Sequence, residues 1–83
     1  MLASRYFEEQ VQPKRPYIRR EWCLEVIAAP LRREVQISGR VRFWGRIEEP
    51  GATRPRFLRV ITLDDEETVH NAFFDRNFGE DEP

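Results

Sequence analysis

Arg40, Arg42, Trp44 and Arg46 occupy every second position of one stretch, alternating with Val41, Phe43, Gly45 and Ile47. A period of two predicts a strand with one face in the core and the other turned outward. Guanidinium forks grip phosphate and an indole stacks on flat rings, so the outward face suits a partner carrying phosphates and bases. An exposed strand stiffened by Arg–Trp stacking explains the same residues without a ligand. His70 is the only histidine. Beside arginines its pKa should fall, leaving a neutral imidazole able to take a proton near pH 7, as a general base must. The plainer reading is a hydrogen-bonded strand histidine. No second His or Cys lies at ligand spacing, so neither a metal nor a cofactor is expected. The acids at 64–67 lack the spacing of a calcium loop and read as a solvated turn. Neither a glycine-rich phosphate loop nor a Ser/His/Asp pattern is present.

The elements that must position these residues follow from pattern. Residues 5–12 suggest a short strand and 12–16, with two prolines, a link. Ile18, Trp22 and Val26, with Cys23 and Ile27 beside them, form apolar stripes that predict a helix over 17–29, begun near Pro16 and stopped by Pro30. On that face Cys23 reads as core packing rather than as a nucleophile. Strands are predicted at 35–38, 40–48, 56–63 and 68–74, separated by a turn at Ser38-Gly39, a loop at 49–55 and the acidic turn. The fold class is α+β: one helix packed on an antiparallel β-meander of four to five strands. Residues 1–78 are expected to form a single domain, the chain reading as a tail from Asp75 onward and 79–83 as a disordered acidic end. Setting Leu63 opposite Thr68 places Arg59 opposite Ala72, Ile61 opposite His70, Val60 opposite Asn71 and Leu58 opposite Phe73. The face away from the helix then carries Arg42, Trp44, Arg46, Arg59 and His70, together with Phe57, Ile61 and Phe74. Such an apolar share points to a partner protein or a further layer.

Size and charge bound the function. Ten aromatics help a chain of 83 residues build one core. A lone cysteine excludes an internal disulfide. No run of about 18 apolar residues predicts a membrane span, the first residues do not read as a signal peptide, and a cytoplasmic protein is expected. The net charge of -1 conceals a split. Residues 1–60 hold thirteen basic and seven acidic side chains, net +6, whereas 61–83 hold one and eight, net −7. The first part suits a polyanion; the overall balance argues against strong non-specific nucleic-acid affinity.

The runs Arg-Val-Arg-Phe-Trp-Gly-Arg-Ile, Phe-Leu-Arg-Val-Ile-Thr-Leu and Glu-Thr-Val-His-Asn-Ala-Phe-Phe-Asp-Arg-Asn-Phe resemble a small uncharacterised bacterial family, itself similar to the RelE/ParE-like toxin superfamily and its BrnT-type relatives. The resemblance covers most of residues 17–78. It implies a helix-plus-meander fold with a concave sheet, and a metal-independent endoribonuclease that cuts mRNA, often on the ribosome, and is silenced by a cognate antitoxin. In that chemistry a 2′-hydroxyl attacks the adjacent phosphate while cations stabilise the charge on phosphorus. His70 would serve as base or acid, Arg42 and Arg59 would hold the phosphate, Trp44 would stack a base, and Arg46 and Arg40 would bind RNA. Two departures stand beside the resemblance: such toxins are typically basic overall, and no second acid–base partner is evident beyond the candidates Asp75 and Glu48. The alternatives are a non-catalytic protein-binding domain of the same fold, or an RNA- or nucleotide-binding module without cleavage; under any of these readings a homo-oligomer is among the expected partners.

Overall fold

In a computed structural model describing residues 1–79, one helix packs across a four-stranded antiparallel meander, the expected α+β class. Helix α1 (Arg20–Ala28) rests on strands β2 (Val41–Ile47) and β3 (Arg56–Thr62); β1 (Arg32–Val35) and β4 (Val69–Phe74) flank them in the order β1-β2-β3-β4. Cys23 and Val26 are the buried residues of α1, facing Phe43, Leu58 and Val60. Burial pushes the Cys23 thiol up to about 11, which leaves it an inert core group. The helix approaches β2 at Gly45, where a Cβ would stand 2.6 Å from Val26 Cγ2. That close approach explains a glycine in the middle of a strand. No helix among the described residues is long and apolar enough to cross a membrane.

Several elements differ from the sequence expectation. The strand expected over 5–12 is helical, with a π-helical turn at Phe7–Val11. Phe7 and Val11, four apart, are both buried, so the apolar spacing there is helical rather than alternating. Ser4 caps this turn: its Oγ accepts from the Phe7 N–H at 3.1 Å and its carbonyl from the Glu8 N–H at 3.1 Å. Arg20 pairs with Glu8 and ties the turn to α1. Ahead of it the chain lies parallel to β4, the Ser4 N–H donating to the Val69 carbonyl at 2.9 Å. The α-helix is shorter than 17–29 because Arg19 is extended, although Ile18 is still buried. Strand β1 begins earlier than expected, and 36–40 forms the turn, with the Gln36 N–H donating to the Arg40 carbonyl at 2.8 Å.

The β3–β4 hairpin closes as expected, the Leu63 N–H donating to the Thr68 carbonyl at 3.0 Å, and then slips by one residue. Thr62 pairs with Val69, but Ile61 pairs with Asn71, Val60 with Ala72, Arg59 with Phe73 and Leu58 with Phe74. His70 is the extra residue of a β-bulge. A bulge reverses the faces beyond it. Ala72 therefore enters the core in place of Phe73, and Phe73 joins Arg59 on the open face, its ring centroid 5.2 Å from the guanidinium carbon. Phe74, expected on the open face, turns instead to the helix side against Trp22 and Tyr17. The tail expected from Asp75 is ordered structure as far as the described residues go: the Asp75 N–H donates to the Phe57 carbonyl at 2.8 Å. The disordered end expected over 79–83 lies, apart from Gly79, outside the described residues.

Candidate functional site

The sheet face turned from α1 carries the predicted residues other than Arg46 as two neighbouring groups. The first centres on Trp44. Strand pairing sets Arg32 and Arg59 on either side of it, with Glu34 and Ile61 flanking Arg42 one step along. The guanidinium carbons of Arg32 and Arg59 lie 5.4 and 5.3 Å from the indole, and Phe78 stacks on it with centroids 5.6 Å apart and planes 14° apart. The indole N–H donates to Asp75 Oδ2 at 3.0 Å. Trp44 points away from the helix, as its alternation requires, yet is only 5% exposed. The open indole expected for base stacking is thus a covered one, and the cover comes from residues read as tail.

Arg59 is enclosed in the same group. Its Nη1 lies 3.8 Å from Asp75 Oδ2, and its buried Nε has no hydrogen-bond partner among the described residues. Burial and the nearby Arg42 lower its pKa, against Asp75 and Glu34, which raise it. A guanidinium remains charged through such a shift. Burial acts to raise the Asp75 carboxyl, but the Trp44 indole, the Asn77 N–H, Arg59 and the Phe78 N–H together hold it below its ordinary value. Asp75, one of the two candidate acid–base partners, is therefore an ionised anchor. Glu48, the other, lines a separate shallow cavity with Glu49 and Arg54.

The second group centres on His70. Its Nδ1 lies 2.9 Å from Ser4 Oγ, and the Tyr6 ring stacks on the imidazole with centroids 4.8 Å apart. Tyr6, Gln36, Arg40, Ile61, His70 and Asn71 line an open groove of about 580 Å³. Burial and the charge of Arg40 lower the His70 pKa, so the imidazole is neutral near pH 7. Ser4 Oγ accepts from the Phe7 N–H and keeps its own proton free to donate to Nδ1. With that hydrogen bond on Nδ1, the imidazole carries its hydrogen on Nε2 and offers a donor. Gln36 joins the two groups: with its amide oxygen toward Arg42 it accepts from Nε at 2.8 Å and Nη2 at 2.5 Å.

Arg42, Arg59 and Trp44 therefore lie together, as do His70 and Arg40. Arg46 sits exposed near the far end of β2 opposite Phe57, about 20 Å from Arg40 along an extended chain. Sequence reading did not include Ser4, Tyr6, Arg32 and Phe78. Ser4, three residues before Phe7, carries a helix-cap signal that an expected strand conceals. The other three are joined to the site only by tertiary contacts. Among the described residues no group of three His, Cys, Asp or Glu side chains is placed to hold a metal ion. Comparison of the chain with protein-family models, curated proteins and solved structures finds no match.

Proposed function

We propose that this chain engages single-stranded RNA on the open sheet face and acts in the cytoplasm as the RNA-directed member of a toxin–antitoxin pair, silenced by a partner protein. The observation carrying this reading is the meeting of Arg40, Tyr6 and His70 at one groove, with Arg42 next in the stripe. Arg40 and Arg42 supply phosphate-binding forks, the Tyr6 ring a stacking surface, and the His70 Nε2–H a neutral donor to a phosphoryl oxygen. In cleavage the RNA 2′-oxygen would bond to phosphorus as the bond to the 5′-oxygen breaks, the 2′-hydroxyl proton passing to water and a proton from water reaching the 5′-oxygen, leaving a cyclic phosphate and a free 5′-hydroxyl. His70 suits the donor side of that reaction, hydrogen-bonding the phosphate or the leaving oxygen. The same tautomer favours a second reading, RNA binding without cleavage, because Nε2 then has no lone pair with which to take the 2′-hydroxyl proton.

Both readings are tested by incubating the protein with labelled single-stranded RNA at low salt, where phosphate contacts are strongest, and separating the products. Binding with new cyclic-phosphate ends supports the nuclease. Binding with intact RNA supports the second reading. No binding at low salt would leave a protein-binding domain as the better account.

A further inference from the structure

The predicted base-stacking residue is occupied by the protein's own chain. Phe78 lies nearly parallel to the Trp44 indole and touches Phe57 at 5.2 Å between centroids. Asp75 sets a carboxylate oxygen 3.0 Å from the indole nitrogen and 3.8 Å from Arg59 Nη1. A flat ring on an indole, followed by an anion held by an N–H and a guanidinium, is the pattern a nucleotide makes on an aromatic–arginine surface. The cradle extends past the occupant, because Arg32, Glu34, Arg42 and Asn77 line an open cavity of about 220 Å³ beside Phe78.

The two occupants are held unequally. Asp75 is fixed by its own N–H on the Phe57 carbonyl, continuous with the sheet. Beyond it, the Asn77 N–H bonds back to Asp75 Oδ1 at 2.9 Å, the Phe78 N–H turns to the same carboxylate, and the Phe78 ring is held by ring contacts. A stack of that kind can be exchanged for a base without unpairing a strand.

We infer that residues 75–78 plug a subsite for single-stranded RNA, with Phe78 in the place of a base and the Asp75 carboxylate in the place of a phosphate. RNA gains the Trp44 subsite only by displacing Phe78, and the protein as folded holds this half of the face closed. The inference rests on the RNA reading proposed above.

The test is fluorescence anisotropy of a labelled oligouridine of about eight nucleotides, within the usual site size of single-strand grooves, at low salt. Wild type is compared with Phe78→Ala, each checked for cooperative unfolding. Tightening of about tenfold in Phe78→Ala, the worth of one base–aromatic stack, is the expected result. Equal affinities in folded proteins would overturn the plug while leaving the RNA reading standing. Absence of binding by both would overturn the two together. Should Phe78→Ala fail to fold, wild type labelled with ¹⁵N is titrated with the same RNA. Movement of both the Trp44 indole N–H and the Phe78 amide supports displacement. Movement confined to the His70 groove overturns it.

Discussion

Ser4 and His70 stand 66 positions apart in the chain, yet their side chains meet at 2.9 Å between Oγ and Nδ1. The contact needs two local irregularities: the capped helical turn that stations Ser4 and the bulge that singles out His70. It is what turns a strand histidine into one of defined orientation. The imidazole is held through one nitrogen and presents the other to a groove.

The first prediction concerns its titration. Burial and Arg40 disfavour the charged imidazole, so the His70 midpoint followed by NMR falls below the ordinary 6.5. The fold binds the proton less well than the unfolded chain does. The linked stability is therefore complete above 6.5 and declines as pH falls from there to the folded midpoint. Arg40→Gln moves the midpoint up toward 6.5, since it removes one of the two causes. A midpoint unchanged in that variant would refute the coupling. Nitrogen-detected spectra of wild type at neutral pH are expected to show the Nε2–H tautomer, and Ser4→Ala to weaken that preference.

Gly45 offers a packing test. Alanine there puts a methyl group 2.6 Å from Val26 Cγ2, and a β-branched side chain on a packed helix has little room to yield. Gly45→Ala is expected to cost about 1–3 kcal/mol in urea unfolding. Val26→Ala in the same background should recover part of that loss, giving a coupling of about 1 kcal/mol in the double-mutant cycle. Strictly additive losses would show that the helix rests elsewhere.

Asp75 links the Trp44 indole to Arg59, both largely enclosed. Asp75→Ala should cost about 1–3 kcal/mol, because a buried donor and a guanidinium lose their shared acceptor. Asp75→Asn should cost less, keeping an oxygen for the indole while losing the charge facing Arg59. The folded carboxyl titrates below its ordinary 3.8, so its stabilisation is present above that value and is lost as pH falls through the lower folded value. Wild type should therefore lose more stability on acidification than Asp75→Asn. Parallel acid profiles for the two proteins would count against the assignment.

Growth after induced expression in bacteria tests the proposed activity in cells. Wild type is expected to arrest growth, and His70→Ala and Arg40→Ala to relieve it while remaining soluble. Arg59→Ala is a weaker probe than the sequence suggests, because Arg59 is packed between Trp44 and Phe73 and its loss also disturbs folding. In RNA binding, Arg40→Gln should lower the salt dependence by about 0.7 in slope, the worth of one phosphate contact on a single strand. Equal growth of wild type and variants, with soluble protein confirmed, would remove the toxin reading in that host.

What the sequence determined by itself is whatever depends on neighbours in the chain. Alternation over 40–47 assigned Arg42, Trp44 and Arg46 to one face and Val41, Phe43 and Gly45 to the other, since successive side chains of a strand must point oppositely. The spacing of Cys23 and Val26, with Trp22 and Ile27, identified the helix and its buried side, and turn-forming residues divided the meander. The tertiary structure decided what covers each face. The bulge at His70 sends Phe73 and Phe74 to sides opposite those that unbroken alternation requires, because one unpaired residue reverses everything after it. The helical turn that delivers Ser4 and Tyr6 is settled by burial of Phe7 and Val11 in a core made by distant strands. The covering of Trp44 depends on Phe78, 34 positions further along, which folds back because the indole and Phe57 offer it more contact than water does. Periodicity reports which way a side chain points; only the packed fold reports what meets it there.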